Sequence, residues 1–252
     1  FAKTALANGC AYAIVDEAEF AIDEKYILVD DVLTTLQQLA RYHRQQLGTT
    51  VIGITGTNGK TTTKELIAAV LKEKFNTLYT QGNLNNHIGV PLTLLQLKAE
   101  HEIAIIEMGA NHQGEIKLLA EIACPDLGII TNVGKAHLEG FGSFEGVKKT
   151  KAELYDYISA NGQLIFINKD NEHLMEMAAK SGIGDKRREY SLNSEQSNGY
   201  IYGQINSCSP FLTMKCSINN SDFFDIETKL IGVYNAENVL AAVTIGEFLG
   251  VD

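Results

Sequence analysis

Apolar positions recur in two rhythms along this chain. Short continuous runs, suited to strands buried on both faces, alternate with stretches at helical spacing. The runs are Thr50–Thr55 (TVIGIT), Ile103–Met108 (IAIIEM), Leu127–Thr131 (LGIIT) and Gln163–Asn168 (QLIFIN). Between them, Leu66, Ile67, Val70 and Leu71 fall on one face of a helix, and further helices are predicted around Glu115–Ile122 and Phe144–Ile158. This alternation predicts an α/β fold, a mostly parallel sheet with helices on both faces. Residues 187 to 230 change character. Short β-prone runs separated by Asn, Ser and Gly predict a small antiparallel β extension, and Asn235–Leu249 returns to helix. Ahead of Thr49 lie two short strands, Ala11–Val15 and Lys25–Val29. A helix to about Gln46 follows, capped by Asp30 or Asp31, with Val32, Leu33, Leu36, Leu39 and Ala40 on one face. Two strands and a helix are too little for a core of their own, so this part is expected to be the end of an upstream domain.

Composition narrows the function. The 252 residues are 45% hydrophobic and 21% charged, which suits a globular chain and excludes disorder or collagen. Lys plus Arg is 21 against 31 for Asp plus Glu, a formal charge of −10. A broad nucleic-acid face is disfavoured, because phosphate backbones need clustered cations. A local basic pocket for one anion stays open. Cys10, Cys124, Cys208 and Cys216 form no CxxC pair. No apolar run approaches the ~18 residues of a membrane span, and no signal peptide is evident. A reducing cytoplasm is the simplest setting, and a monomer is expected. The chain starts at Phe1, which suggests a processed or excised piece.

The strongest chemical signal is Thr55-Gly56-Thr57-Asn58-Gly59-Lys60-Thr61-Thr62, set between a buried strand and a helix. Glycines let successive N–H groups converge on one anion, and the helix N-terminus adds positive potential. Lys60 suits the β- and γ-phosphates of a nucleotide, and the Thr61 hydroxyl suits Mg²⁺. The strict GxxxxGK[ST] spacing is not met, since its first glycine would fall on Ile54. Glu107 ends the second buried strand, where an open α/β sheet presents ligands; one carboxylate there can hold Mg²⁺ with Thr61. A capping or salt-bridging glutamate would look the same.

TGTNGKT resembles the ATP loop of the Mur ligases, the amide-forming enzymes of peptidoglycan precursor synthesis. Three further segments are similar to the branch that adds D-alanyl-D-alanine. They are Gly82-Asn83-Leu84-Asn85-Asn86 with Ile88–Pro91, Glu107–Ile116, and Ala136–Ser143. The resemblance covers roughly Thr50 to Gly250. It implies a three-domain family in which residues 1–47 match the end of the UDP-substrate domain with a linker helix. Residues 48–252 then match the central ATPase domain, and the C-terminal domain is not represented. It implies ATP and two Mg²⁺ ions as cofactors. It also implies transfer of the γ-phosphoryl group to a carboxylate, and attack of an amine on the acyl phosphate.

The implied substrates are UDP-N-acetylmuramoyl-tripeptide and D-alanyl-D-alanine. His137, by itself an ordinary loop histidine, is then a ligand of the second Mg²⁺. Lys151, by itself a solvated helix lysine beside Lys148 and Lys149, is then a candidate for a carbamate that ligates the same ion. Carbamylation needs a neutral amine and so a lowered pKa. Asn235, in Gly232–Asn238, is the candidate for adenine recognition, although an N-cap of the last helix fits equally well; Tyr234 stands where the family usually has His. Asn83, Asn85, Asn86, Asn111 and His112 are candidates for holding the peptide substrate, and each also suits a loop turn. A sister ligase, a folylpolyglutamate synthase-like enzyme, a nucleotide switch, or a nucleotide-binding fragment inactive alone are the alternative readings.

Overall fold

The computed structural model describes residues 1–134, 138–193, 201–219 and 221–251. Helix α1 (Ala2–Ala7) precedes strand β1 (Ala13–Val15), which pairs in parallel with β2 (Tyr26–Leu28) as a separate two-stranded sheet. Helix α2 (Val32–Gln45) follows. Asp31 caps it, its carboxylate accepting from the Thr34 N–H at 2.6 Å. Its apolar face is less regular than expected. Ala40 is buried in the main core, while Leu39 is 45% exposed. Arg44 fixes the helix to the sheet: its guanidinium meets Asp126 at 2.7 Å, and the Asp126 carboxylate also accepts from the Val51 N–H at 2.8 Å.

The main body then alternates: β3 (Thr50–Thr55), α3 (Lys60–Leu71), β4 (Thr77–Tyr79), α4 (Gly89–Leu94), β5 (Ile103–Glu107), α5 (Glu115–Ala123), β6 (Leu127–Ile130), α6 (Leu138–Phe141), α7 (Phe144–Asn161), β7 (Leu164–Asn168), α8 (Glu172–Lys180) and β8 (Arg187–Ser191). Strands β9 (Ile201–Cys208), β10 (Leu212–Ile218) and β11 (Phe224–Glu227) complete the sheet, and α9 (Asn235–Phe248) ends the chain's regular structure. Among the described residues the order is β11-β10-β9-β8-β7-β6-β3-β5-β4.

Pairings from β4 through β9 are all parallel, and only β9–β10 and β10–β11 are antiparallel. This corrects the expectation that residues from 187 onward are antiparallel. Helix α8, capped by the Asn171 side chain, carries the chain back across the sheet before β8, and a strand reached by such a crossover runs parallel to its predecessor. Edge strand β4 and the six-residue helix α4 are too short to give a periodic signal in the sequence.

Side chains alternate across each strand and build two cores. Ile52 and Ile54 of β3 and Ile105 of β5 pack under α3 and α9 with Ile67, Leu71, Leu240 and Ile245. Val51 and Ile106 face the opposite layer, with Leu94 of α4, Leu119 of α5, Leu154 and Ile158 of α7 and Leu174 of α8. Neighbours β3 and β5 thus send their helices, α3 and α5, to opposite faces. Their carboxyl ends open onto a crevice, the place where open α/β sheets bind ligands.

Candidate active site

The loop after β3 curls into the entrance of α3. Gly56 has φ 150°, and a Cβ there would stand 2.0 Å from the Thr131 hydroxyl; Gly59 takes φ 76° at the N-cap. Only glycine supplies that conformation without strain. The end of β6 holds the loop in place. Asn132 accepts from the Thr57 N–H at 3.0 Å through its carbonyl and from the Asn58 N–H at 2.9 Å through its side chain. The Thr131 hydroxyl donates to the Asn58 carbonyl at 2.6 Å, and the Gly134 N–H donates to the Thr57 hydroxyl at 2.9 Å. The first amides of α3 have no intrahelical acceptor and face the crevice end of the helix, as an anion site requires. The Lys60 ammonium lies over its own loop, donating to the carbonyls of Gly56 at 2.9 Å and Thr57 at 3.1 Å. Burial pulls its pKa below the usual lysine value, against the opposing charge of Glu107.

Glu107 is buried at the end of β5 with both carboxylate oxygens engaged. The Thr61 hydroxyl donates to Oε2 at 3.1 Å and the Asn85 amide donates to Oε1 at 2.9 Å. Its backbone N–H donates to the Thr80 hydroxyl at 2.9 Å. Lys64, one turn beyond Lys60 on α3, stands 4.0 Å from Oε2 and donates to the Thr80 carbonyl at 2.7 Å.

A cleft of about 610 Å³ opens beside this cluster, lined among others by Lys60, Asn85, Asn86, Asn111, Glu115 and Gln37. Helix α2 forms one wall, and Gln37 donates to the His87 carbonyl at 3.1 Å across it. Asn86 is committed to its own turn, accepting from the N–H groups of Ile88 and Gly89. Glu115 accepts from the N–H groups of Asn111 and His112 and so shapes the opposite rim. Lys151 is buried on α7 at 3% exposure, its ammonium 5.7 Å from the centre of the Phe141 ring. Burial, aided by the nearby Lys60 charge, pushes its pKa down to about 8.

The sequence places this arrangement in a family. A model of the Mur ligase middle domain matches residues 54–246. The chain belongs to the Mur ligase family. It is 38% identical over 255 residues to the UDP-N-acetylmuramoyl-tripeptide–D-alanyl-D-alanine ligase of Bacillus subtilis, covering 100% of this chain and 53% of that protein. It is 37% identical to the same-named ligase of Escherichia coli, covering 99% of this chain and 54% of the relative. In structure it is similar to the MurF ligase of Thermotoga maritima solved in complex with ADP, with a TM-score of 0.84 and 28% identity, over 99% of this chain and 57% of that one. It is also similar to a crystal structure of MurF from Acinetobacter baumannii, with a TM-score of 0.85 and 33% identity, over 99% of this chain and 54% of that one. The chain therefore spans about half the length of the curated relatives it matches.

Within this Mur ligase chain, Lys60, Thr61, Glu107 and Asn85 converge as one cluster around the loop of Gly56, Thr57, Asn58 and Gly59, with Thr62 in the first turn of α3. Asn111 and Asn86 reach the adjoining cleft, whereas Asn83 and His112 are exposed on its flanks. His137 lies outside the described residues. Asn235 is buried and turned inward: its amide donates to the Ile231 carbonyl at 3.0 Å, and its oxygen accepts from Asn238 at 2.9 Å. It does not cap α9; Tyr234 occupies that position, 71% exposed, and Asn235 begins the helix proper.

Sequence reasoning did not single out Lys64, Thr80, Thr63, Asn132 or Gln37. Thr63 donates to Asn238 at 3.0 Å and thereby joins α3 to α9. No motif spacing points to these residues. For Lys64 a faint signal existed, a lysine on the same helix face as Lys60, four residues on.

Proposed function

We propose that this chain is the ATP-binding core of a ligase that joins D-alanyl-D-alanine to UDP-N-acetylmuramoyl-tripeptide in peptidoglycan precursor synthesis. The observation that carries the reading is the pairing of Thr61 with Glu107 at 3.1 Å beside a phosphate loop. Relatives bearing that activity in their names, and a neighbour solved with ADP, support it. Residues 1–47 are read as the end of a UDP-substrate domain with its linker helix, and residues 48–252 as the central domain. A cytoplasmic monomer acting on nucleotide substrates is part of the same reading. Among the described residues no helix is long and apolar enough to cross a membrane.

The residues suit the reaction. A carboxylate is a poor electrophile, and phosphorylation by ATP gives it a leaving group. The loop amides and Lys60 hold the β- and γ-phosphates, with Lys60 leaving its carbonyl partners to do so. Transferred phosphoryl oxygens gain stabilisation from these fixed donors. Asn85, Asn86 and Asn111 line the open cleft beside Lys60, the side assigned to the acceptor carboxylate, with Asn83 and His112 exposed at its flanks.

The donor set fits Mg²⁺: a hydroxyl and a carboxylate whose oxygens already point at one another, both hard ligands. Bound there, the ion neutralises charge on the phosphates. His137 and Lys151 are assigned to a second ion, with Lys151 as its carbamate. The depressed pKa of Lys151 and its burial on α7 support a neutral amine able to take up CO₂. Asn235 is assigned to the adenine side, where its buried network with Asn238 and Thr63 sets the position of the α9 entrance.

Calorimetric titration of Mg-ADP into the chain and into Lys60→Ala tests the reading. Binding weakened tenfold or more in the variant is expected. Equal affinity in both, or no nucleotide binding by the wild-type chain, overturns it. In a full-length polypeptide carrying this chain, Lys60→Ala is expected to abolish ligation of D-alanyl-D-alanine.

A further inference from the structure

Lys64 is a buried lysine that the proposed reaction does not use. Its side chain is 1% exposed, its ammonium donates to the Thr80 carbonyl at 2.7 Å, and it lies 4.0 Å from Glu107 Oε2. Glu107 is itself 2% exposed. Glu65 also reaches the ammonium, at 3.1 Å, but its carboxylate is half exposed and screened by water. The buried neighbourhood of Glu107 therefore already contains a positive charge that neutralises it. Lys60 adds a second cation at the mouth of the same site.

A divalent cation placed between Thr61 and Glu107 would share this dry space with the Lys64 ammonium. Like charges at that range repel strongly where the effective dielectric is low. Thr80 prevents the ammonium from swinging away, because its carbonyl would lose a buried donor. Phosphate oxygens at the loop supply the negative charge that the protein lacks there.

We infer that Lys64 is a resident counter-ion for Glu107, so that a divalent cation enters the Thr61–Glu107 site together with nucleotide phosphate and not ahead of it. The inference rests on the reading of Thr61 and Glu107 as a metal-binding pair, and extends it to the order of binding.

The test is Mn²⁺ binding to the 252-residue chain, followed by electron paramagnetic resonance with and without ADP. The wild-type chain is expected to bind Mn²⁺ at least tenfold more weakly without ADP than with it. Lys64→Gln keeps a donor toward Thr80 but no charge, and Lys64→Met keeps length alone. Both are expected to gain at least tenfold in Mn²⁺ affinity without ADP, and the gain is expected to vanish when Glu107→Gln is added. A misfolded variant would not create a site that depends on Glu107.

Folded Lys64 variants that bind Mn²⁺ no tighter than wild type overturn the inference, as does a gain that survives Glu107→Gln. Wild-type chain that binds Mn²⁺ through Glu107 equally well without ADP also overturns it, whatever the variants do. If ADP binds equally tightly with and without Mn²⁺, and Glu107→Gln changes nothing, the metal-binding reading itself has failed, and this inference with it.

Discussion

The Lys64 ammonium and the Glu107 carboxylate lie 4.0 Å apart at 1% and 2% exposure, joining the phosphate-loop helix to the end of the neighbouring strand. Removing one member of a buried pair leaves the other charge uncompensated. The double variant Glu107→Gln with Lys64→Met is therefore expected to lose less stability than the sum of the two single losses. A double-mutant cycle by urea denaturation should show coupling of about 0.5–3 kcal/mol. Strict additivity would mean that the two charges do not sense each other.

Gly56→Ala tests the loop geometry. Its φ of 150° and the Thr131 hydroxyl 2.0 Å from a built Cβ leave no room for a methyl group. The variant is expected to lose about 1–3 kcal/mol of stability from backbone strain, and to bind ADP more weakly because the loop must move away from Thr131. Unchanged denaturation midpoint and affinity would contradict the close approach.

Thr63 and Asn238 are 175 residues apart in sequence and 3.0 Å apart in the fold. Asn238→Ala leaves the Thr63 hydroxyl and the Asn235 oxygen without their partner. A loss of about 1–3 kcal/mol is expected from unsatisfied buried groups, with faster amide exchange in the first turns of both α3 and α9. Exchange confined to α9 would show that the two helices are not tied at this point.

Lys151 supplies the pH dependence. Burial, helped by Lys60, lowers its pKa from 10.5 to about 8, so the neutral amine becomes abundant as pH rises through about 8. Under ¹³CO₂, a protein carbamate signal is expected in ¹³C NMR that grows between pH 7 and 9 and is missing in Lys151→Arg. The linked effect on stability has a definite sign. Between about 8 and 10.5 the unfolded chain holds this proton and the folded chain does not, so stability rises with pH in that window. The difference in stability between wild type and Lys151→Met should increase accordingly; a flat difference would contradict the lowered pKa.

Much of this protein was legible in local sequence. Thr50–Thr55 reads as a buried strand and is one, because six residues without a charge can only pair on both sides. Gly56, Gly59, Lys60 and Thr61 announce an anion loop, because positive φ and a helix entrance are decided within a few residues. The capping of α2 by Asp31 is local in the same way. Tertiary structure decided the rest. Lys64, Lys149 and Lys151 carry the same charge on helical segments, and nothing in their neighbours foretells that Lys149 is exposed while Lys64 and Lys151 are buried, one beside a carboxylate and the other beside an aromatic ring. Asn235 reads as a ligand or a cap; Tyr234 holds the cap position, and it is the packing of α9 on α3 that places the Asn235 side chain in a buried network with Asn238 and Thr63. The parallel course of β8 depended on α8, whose apolar stripe only gains meaning against the sheet it covers. Sequence fixes what each segment can do with its own backbone; burial and charge pairing depend on segments far away in the chain, and these set the chemistry of the site.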